Sequence, residues 1–364
     1  KAIEERHTVN GGRATCIVIE NDGLFTLAPG VGTEHDDTSM SGPQILDAIK
    51  AAGIVGLGGA GFPTHVKLAP RNPEQIDYVI ANGSECEPYI TCDDQLMRTR
   101  SDGIVEGMRL ILRLFPNAKG VIAIEDNKPE AIAAMTKACA SDSNISVLEV
   151  KAKYPEGGER NLIGVVTGRQ LRFGQLPADL GCVVCNVSSL NAIYRAVCKS
   201  EPLMTRLFTV SGDAVVKPHT MEVRIGTSCR ELLEAAGGIK PECTAKKILC
   251  GGPMMGIAMS TLDVPIAKNN NALTVLAEDE VELAENQMTA CLRCGRCGHV
   301  CPIGLVPQMM AEAAERKDYE RYEKKLYGLD CIACGSCTYI CPAKRPLMQL
   351  FKQTKASIMA AKRK

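Results

Sequence analysis

Between residues 40 and 200, short apolar runs alternate with stretches in which apolar residues recur at helical spacing. The stretch QILDAIKAAG carries its apolar residues, from Ile45 to Ala52, on one helical face, and Gly53 ends it. Strand-like runs follow at IDYVIANG, KGVIAIED and ISVLEVKAKYP, with the helical stretch PEAIAAMTKACA between the last two. Strands that alternate with helices predict an α/β layer on a largely parallel sheet.

Other patterns flank this layer. Near the beginning, strand-like residues on either side of the turn Asn10-Gly11-Gly12 predict a β-hairpin. From Arg206 onward, two strand patterns, an amphipathic helix and a further strand predict a compact α+β module. Beyond Glu278, the stretch AEAAERKDYERYEKKLYG predicts a solvated helix with oppositely charged residues four positions apart. These pairs are Glu312 with Arg316 and Glu320 with Lys324.

Composition excludes several classes of protein. The 364 residues are 45% apolar and 23% charged, close to the average of soluble proteins, and no uncharged apolar run reaches the roughly 18 residues of a membrane span. Because 42 basic residues balance 42 acidic ones, the net charge gives no argument for a nucleic acid partner. The unusual feature is sulfur, with 18 Cys, 14 Met and no Trp.

Eight of the cysteines form two copies of the spacing C-x2-C-x2-C-x3-C, each followed by proline. In bacterial ferredoxins three cysteines of such a motif bind one [4Fe–4S] cluster, and the fourth binds the other cluster. We therefore predict two clusters with crossed ligands. Cluster 1 takes Cys291, Cys294, Cys297 and Cys341, and cluster 2 takes Cys331, Cys334, Cys337 and Cys301.

Zinc ribbons are an alternative interpretation of these motifs, but a closed tetrahedral zinc site has no use for the repeated Cys-Pro ending. Most of the other cysteines lie in apolar sequence, which is typical of small buried residues. Cys182 and Cys185 form one more C-x2-C; a redox or metal role stays open, although residues three apart on a strand face opposite sides. Clusters and free thiols both indicate a reducing, cytoplasmic compartment.

A glycine-rich loop, GLGGAG at residues 56–61, contains the pattern G-x-G-x-x-G. It follows a helix and not a strand, so it differs from the usual dinucleotide fingerprint. Backbone amides without nearby Cβ atoms let a phosphate approach closely, and Pro63 begins a helix whose N-terminus favours an anion. Lys67 adds a positive charge one turn later. The alternative interpretation is a plain tight turn.

Polar segments follow several of the predicted strands. NGSECEP comes directly after the first strand of the layer, and GGERN and CNVSSL occupy similar positions further along. Open α/β sheets bind ligands at the carboxyl ends of their strands. Solvated turns would explain each segment separately, but together with the glycine loop they predict one ligand site.

These residues carry a family resemblance. The segments GLGGAGFPTHVK, NGSECEP, GGERNL and CNVSSL resemble the flavin- and NADH-binding subunit of respiratory complex I. With CLRCGRCGHVCPIGLVP and CIACGSCTYICPAKRPL included, nearly the whole chain resembles the RnfC family. Members of that family are subunits of the Rnf complexes, the membrane-associated ferredoxin:NAD⁺ oxidoreductases.

The resemblance implies a multidomain α/β fold in four parts. Residues 1–30 would be the end of an N-terminal barrel-sandwich hybrid domain, and residues 31–204 a Rossmann-like domain that binds FMN and NADH. Residues 205–277 would be a β-grasp domain of the SLBB (soluble-ligand-binding β-grasp) type. Residues 278–364 would be an α-helical ferredoxin domain with two [4Fe–4S] clusters.

The resemblance also implies a set of site residues. The phosphate of FMN would lie against the glycine loop and a lysine, and the rest of FMN would lie among residues at the strand ends. NADH would lie beside an aromatic and an acidic side chain. The FMN residues are Gly56, Gly58, Lys67, Asn82, Glu85, Gly158, Glu159 and Asn186, and the NADH residues are Phe62 and Glu87. The chain departs from the complex I protein at Arg160, where that protein has an acidic residue, and at Cys185, where it has Asn.

The function implied is that of an NADH:ferredoxin oxidoreductase of the translocase class, peripheral on the cytoplasmic side of the membrane. Electrons from ferredoxin would arrive through an iron–sulfur subunit, cross the clusters and FMN, and reduce NAD⁺, while membrane partners move Na⁺ or H⁺. One alternative is a cobalamin-reductase-type or proline-reductase-linked electron carrier that uses NADH. Another is an electron-transfer adaptor with a dead nucleotide site.

Overall fold

The computed structural model describes residues 2–362 and divides into two units. The first unit contains the described chain up to Leu171 together with Leu176–Ala277. The second contains Arg172–Gln175 together with the chain from Glu278 onward. No helix of residues 2–362 is long and apolar enough to cross a membrane.

The first unit begins with the predicted hairpin. Its antiparallel strands are β1 (Ala2–His7) and β2 (Arg13–Val18). The turn between them includes Gly11, whose positive φ of 77° suits glycine. Most side chains of the hairpin are exposed.

Four parallel strands form the sheet of the α/β layer, which confirms the parallel sheet expected from the sequence. They are β3 (Tyr78–Gly83), β4 (Lys119–Glu125), β5 (Ile145–Val150) and β6 (Cys182–Asn186). Helices cover the sheet, which explains why β4 and β6 are almost entirely buried. The helices are α1 (Gly42–Ala51), α2 (Thr64–Lys67), α3 (Cys92–Thr99), α4 (Ser101–Leu112), α5 (Pro129–Ala138), α6 (Glu159–Thr167) and α7 (Val187–Lys199).

The order of the strands across this sheet is β5–β4–β3–β6. The chain moves outward from β3 to β5 and then returns to the other side of β3, so the order reverses between β3 and β6. Such a switch point opens a crevice at the carboxyl ends of the strands, where ligands of α/β proteins bind. On β6, Cys182 and Cys185 belong to two different apolar cores, on opposite faces of the sheet, as their spacing predicts.

A five-stranded mixed sheet with one helix forms the SLBB-type part of the first unit. Its elements are β7 (Thr205–Ser211), β8 (His219–Arg224), α8 (Cys229–Ala235), β9 (Lys247–Cys250), β10 (Ile257–Ala258) and β11 (Ala272–Leu276). The order across the sheet is β10–β9–β11–β7–β8. The expected strand, strand, helix and strand are present, but the sequence reasoning missed β11, which is the central strand.

The second unit is helical and carries the two cysteine motifs. Its helices are α9 (Glu280–Glu285), α10 (Arg296–His299), α11 (Pro307–Glu315), α12 (Ser336–Tyr339) and α13 (Leu347–Lys362). The apolar core of the unit lies between the motifs and includes Met310, Tyr322, Leu347 and Phe351.

The prediction of one solvated helix between the motifs is wrong. Both charge pairs form, at 3.2 Å for Glu312–Arg316 and 3.1 Å for Glu320–Lys324. However, the α-helix ends at Glu315, Lys317 takes a positive φ of 57°, and the chain continues into a π-helical turn at Arg321–Lys325. The side chain of Tyr322 in this turn is buried, so the stretch is not a helix with a fully exposed surface.

Candidate functional site

The carboxyl ends of β3 and β6 bring three of the predicted FMN residues together. Asn82 and Asn186 are register partners on the two strands, and the side-chain Nδ2 of Asn186 donates a hydrogen bond to the backbone oxygen of Asn82 over 3.4 Å. A Cβ atom at Gly58 would lie 2.7 Å from the same Nδ2. A Cβ atom at position 58 would therefore force the side chain of Asn186 to shift.

The glycine loop is closed by a backbone hydrogen bond of 2.9 Å from the amide of Gly56 to the carbonyl of Phe62. At Gly59, no atom lies within 4 Å of where a Cβ would be, so the loop presents bare backbone to open space. Such a surface fits a phosphate group approaching the amides. The ring of Phe62 is 52% exposed beside this loop.

Lys67 and Glu159 also lie together at the switch point. The Nζ atom of Lys67 is 3.0 Å from Oε1 of Glu159 and donates a second bond of 2.9 Å to the carbonyl of Val184 on β6. Gly158 precedes Glu159 as the N-cap residue of α6. The Lys67–Glu159 ion pair therefore lies at the N-terminus of α6, where the helix dipole favours the carboxylate.

Asn82 connects β3 to the segment before α6. Its Nδ2 donates a 2.8 Å hydrogen bond to the carbonyl of Gly157. A Cβ at Gly157 would come within 2.2 Å of the carbonyl oxygen of Ser84, so two backbone segments touch here. Gly157 begins the segment GGERN that the sequence predicts at a strand end, although the predicted FMN residues include only Gly158 and Glu159 from it.

Asp93 fixes Asn186 from the other side. Oδ2 of Asp93 accepts a 2.6 Å hydrogen bond from Nδ2 of Asn186, and Oδ1 accepts one of 2.8 Å from the hydroxyl of Ser188. Asp93 is 7% exposed and lies in the first turn of α3. Nothing in the local sequence indicates this role, because the contact joins residues 93 positions apart.

Glu85 points into the fold, at the N-terminus of α3. Its carboxylate accepts hydrogen bonds from the amides of Asp93 at 2.9 Å and Asp94 at 3.1 Å, and from the thiol of Cys92 at 3.3 Å. Burial, together with the nearby negative charge of Asp93, raises the pKa of Glu85 to about 8, although the two amide bonds act in the opposite direction. Glu85 therefore organises α3, the helix that carries Asp93.

A cavity of about 550 Å³ lies at the carboxyl ends of β3, β4 and β5, and Glu85 and Glu87 line it. Its wall also contains Glu125 and Lys128, which form a buried ion pair at 2.8 Å; Lys128 donates a further 3.1 Å bond to the carbonyl of Glu85. Tyr154 lines the cavity as well. The sequence reasoning missed these three residues, although Glu125 lies at the end of a strand and had the same signal as Asn82.

The structure does not place all the predicted residues around one space. The glycine loop, Lys67, Asn82 and Asn186 meet at the junction of β3 and β6, whereas Glu85 and Glu87 line the cavity towards β5. Glu87 is further engaged by the SLBB-type part, because its Oε1 accepts bonds from the amides of Met254 at 2.7 Å and Met255 at 3.0 Å. Burial raises the pKa of Glu87.

Three side chains of the SLBB-type part bind carbonyl groups of the glycine loop or, at Gly53, of the turn just before it; we call Arg206, Lys268 and Asn269 the loop clamp. Nζ of Lys268 donates to Gly53 over 2.6 Å, Nη1 of Arg206 to Leu57 over 3.3 Å, and Nδ2 of Asn269 to Gly59 over 3.1 Å. Arg206 is only 5% exposed. The position of the loop thus depends on a part of the chain that is distant in sequence.

The cysteines of the two motifs line two separate cavities in the second unit. One is lined by Cys291, Cys294, Cys297 and Cys341, and the other by Cys301, Cys331, Cys334 and Cys337. No disulfide joins cysteines within the described chain. Four cysteine side chains around a small cavity are a suitable donor set for a [4Fe–4S] cluster. The two groups have the same members as the crossed sets expected from the sequence.

The two groups differ in exposure. Cys291 and Cys294 are exposed, whereas Cys334 is buried and the other cysteines of its group are partly buried. A redox centre held by the first group would therefore lie nearer to solvent. A centre held by the second would lie against the apolar core that contains Tyr322 and Phe351.

Comparison with family models identifies three domains. Residues 49–195 match the Nuo51 FMN-binding domain, residues 207–258 the SLBB domain, and residues 290–347 the 4Fe-4S dicluster domain. The whole chain is 41% identical to the C subunit of the Na⁺-translocating ferredoxin:NAD⁺ oxidoreductase complex of Acetobacterium woodii and covers 81% of it. The chain belongs to the RnfC family, the C subunits of ion-translocating ferredoxin:NAD⁺ oxidoreductase complexes.

Other members of the RnfC family support this assignment. Over 96% of its length the chain is 43% identical to the C subunit of the proton-translocating complex of Clostridium ljungdahlii, of which it covers 76%. Over 98% of its length it is 42% identical to the C subunit of the ion-translocating oxidoreductase complex of Pseudomonas aeruginosa, of which it covers 45%. These matches confirm the expected family and favour it over the cobalamin-reductase and proline-reductase alternatives.

Solved structures show the same fold. A chain of an NAD⁺-reducing [NiFe]-hydrogenase in the air-oxidized state matches 92% of this chain with a TM-score of 0.62 and 19% identity, and the match covers 72% of that chain. The H₂-reduced state matches 87% of this chain with a TM-score of 0.58 and 24% identity, over 63% of that chain. Together with the three family models, they confirm the multidomain α/β fold class, with an FMN-binding domain and a two-cluster domain.

Proposed function

We propose that this member of the RnfC family passes electrons between an iron–sulfur partner subunit and NAD(H), within a membrane-bound complex whose other subunits move Na⁺ or H⁺. The observation that carries the proposal is the presence, in one chain, of an FMN-type site at a sheet switch point and two four-cysteine groups. The translocase class belongs to the complex, and we place this protein on the cytoplasmic side of the membrane.

For FMN, we propose that the backbone of the glycine loop at Gly56 and Gly58 lies against the phosphate, with Lys67 supplying positive charge. Asn82, Gly158, Glu159 and Asn186 would face the remainder of the cofactor, and Glu85 would support them through α3. The position of Lys67 at the N-terminus of α6, the bare backbone at Gly59 and the hydrogen-bonded Asn82–Asn186 pair support this assignment. Phe62 and Glu87 remain the candidates for NADH.

For the clusters, we propose the crossed ligand sets. Cys291, Cys294, Cys297 and Cys341 bind cluster 1, and Cys331, Cys334, Cys337 and Cys301 bind cluster 2. The grouping of these cysteines around two cavities supports the sets. The greater exposure of Cys291 and Cys294 makes cluster 1 the more accessible to a partner protein.

Bound FMN supplies the chemistry that this combination needs, since it exchanges electron pairs with a nicotinamide and single electrons with clusters. The residues of the chain bind and orient it. Asp93 holds the side-chain amide of Asn186 and the hydroxyl of Ser188 in fixed directions, and the loop clamp holds the glycine loop. We also propose the domain limits 1–30, 31–204, 205–277 and 278–364, with the hairpin as the end of a barrel-sandwich hybrid domain.

Anaerobic reconstitution tests this function. We expect one FMN and about eight iron atoms per chain, as two four-iron clusters require, and oxidation of NADH with an artificial electron acceptor. A protein with about eight irons that binds neither FMN nor NADH would instead be an electron-transfer adaptor.

A further inference from the structure

Lys128 is a buried cation in an unusual place. It is the N-cap residue of α5, and its side chain is only 12% exposed. N-cap positions favour short polar side chains that accept hydrogen bonds from the first turn, and the helix dipole disfavours a cation there. Burying an ammonium group costs further free energy. Local stability therefore does not explain a lysine at position 128.

The ionic partner of Lys128 is Glu125, the last residue of β4. The side chain of Glu125 is 2% exposed, and its Oε2 lies 2.8 Å from Nζ of Lys128. A turn brings the two residues together, because the amide of Lys128 donates a 3.0 Å bond to the carbonyl of Glu125. Apolar residues of similar volume are often as stabilising as a buried ion pair, so stability alone is a weak reason for the pair.

The ammonium group of Lys128 has an acceptor within the chain for each of its donors. A lysine ammonium carries three N–H donors. Its Nζ lies 2.8 Å from Oε2 of Glu125, 3.1 Å from the carbonyl oxygen of Glu85 and 3.3 Å from Oδ1 of Asn127. These bonds use the group's full capacity, so it links the end of β4 to the segment after β3 and does not reach out to a ligand.

The bond to Glu85 fixes part of the wall of the cavity at the carboxyl ends of β3, β4 and β5. Sheet register brings the two segments together, because Gly83 on β3 and Ile124 on β4 are partners. Glu87 follows two residues after the carbonyl that Lys128 binds, and it lines the same cavity as the ion pair. The backbone that leads to Glu87 is thus held in place by Lys128.

We propose that Lys128, oriented by Glu125, is a positioning residue for the oxidation of NADH, because it fixes the backbone that places Glu87 in the cavity. This inference rests on the proposed function, in which Glu87 is a candidate for contact with NADH. Asn82 and Asn186, two of the residues proposed for FMN, lie at the junction of β3 and β6. The ion pair should therefore affect NADH more than FMN.

The test compares steady-state NADH oxidation by the reconstituted wild-type protein and by the double variant Glu125→Gln/Lys128→Met. Changing both residues leaves no unpaired buried charge, so the variant should unfold at about the same temperature as wild type. Because the carbonyl of Glu85 loses a bond to a charged donor, KM for NADH should rise about tenfold. The kcat with an artificial electron acceptor should change less than about twofold. FMN and iron content, measured on the same samples, should not change.

Asp126→Asn/Lys151→Met is the matched control, because it removes a 3.1 Å ion pair made by the next residue of the same turn, outside the cavity. It should leave KM for NADH unchanged. A wild-type KM, loss of FMN or failure to fold in Glu125→Gln/Lys128→Met would overturn the positioning role while the proposed function stands. Wild-type protein that binds FMN but does not oxidise NADH would overturn both.

Discussion

The side-chain nitrogen of Lys67 lies 3.0 Å from the carboxylate of Glu159, the first residue of α6. The pair joins the helix after the glycine loop to the helix that begins at the strand ends. Both side chains are partly exposed, so the pair itself contributes little to stability. Its importance is in placing one cation at the edge where the phosphate of FMN is proposed to bind.

Replacing Lys67 by methionine should weaken FMN binding selectively. A hydrogen bond to a charged group is worth about 1.5–3 kcal/mol, so the dissociation constant for FMN should rise about 10- to 100-fold. Riboflavin, which lacks the phosphate, should bind wild type and variant alike. Fluorescence titration measures both ligands, and Lys50→Met, at an exposed position on α1, is the control. Equal losses for FMN and riboflavin would show that Lys67 does not face the phosphate.

The loop clamp should also affect FMN binding, although it lies in another domain. In Lys268→Met, the carbonyl of Gly53 loses a 2.6 Å hydrogen bond, and we expect the dissociation constant for FMN to rise about 2- to 10-fold. Lys240→Met is matched, because Lys240 donates a similar 2.8 Å bond to the carbonyl of Asp213, away from the loop. If both variants bound FMN as wild type does, the clamp would have no role in positioning the loop.

Removing the fourth cysteine of either motif should damage the cluster held by the other motif. We expect Cys341→Ala to disturb the cluster held by the first motif, and Cys301→Ala the cluster held by the second, as seen by EPR of each reduced variant. Cys16→Ala, in the hairpin, should leave both signals unchanged. Loss of the local cluster in each variant would contradict the crossed ligand sets and favour two independent four-cysteine sites.

Glu85 should make stability depend on pH. Its pKa in the folded protein is raised to about 8 from an ordinary value of 4.5, so the folded state binds the proton more tightly than the unfolded state. Stability from this group is fully present below about pH 4.5 and is lost as the pH rises towards 8. The urea concentration at which half of the wild-type protein is unfolded should therefore fall as the pH rises over this range.

Glu85→Gln supplies the comparison for this pH dependence. The variant cannot ionise, and it loses one of two acceptors for the amides of Asp93 and Asp94. Because glutamine resembles the protonated carboxyl group, the stability of wild type relative to the variant should fall between about pH 5 and about pH 8. A difference that stays constant across this range would mean that Glu85 ionises normally in the folded protein.

Much of this architecture could be predicted from sequence because its signals are local. Strand and helix periodicity indicated the parallel sheet, and the spacing of the motifs grouped Cys341 with the first motif. The contacts that could not be predicted join distant residues. Nothing near Glu87 indicates that the amides of Met254 and Met255 bind it, and nothing near Lys268 indicates the loop clamp.

The stretch before the second motif shows a different limit of sequence reasoning. Charge spacing correctly paired Glu320 with Lys324, but the same stretch was expected to be one solvated helix. The helix breaks at Lys317, and the ring of Tyr322 packs against Gly328, a packing contact that charge patterns do not report. The sequence reasoning also missed the central strand β11, whose parallel partner β7 lies far earlier in the chain.

The central claim is that electrons pass between the clusters and NAD⁺ only through FMN held in this chain. The most direct measurement uses anaerobic protein reduced with a low-potential donor, freed of excess donor and mixed with NAD⁺, with and without bound FMN. In the FMN-loaded protein, NADH should appear as the EPR signals of the reduced clusters decay, and neither should occur after FMN removal. Equal reoxidation of the clusters by NAD⁺ without FMN would contradict the account.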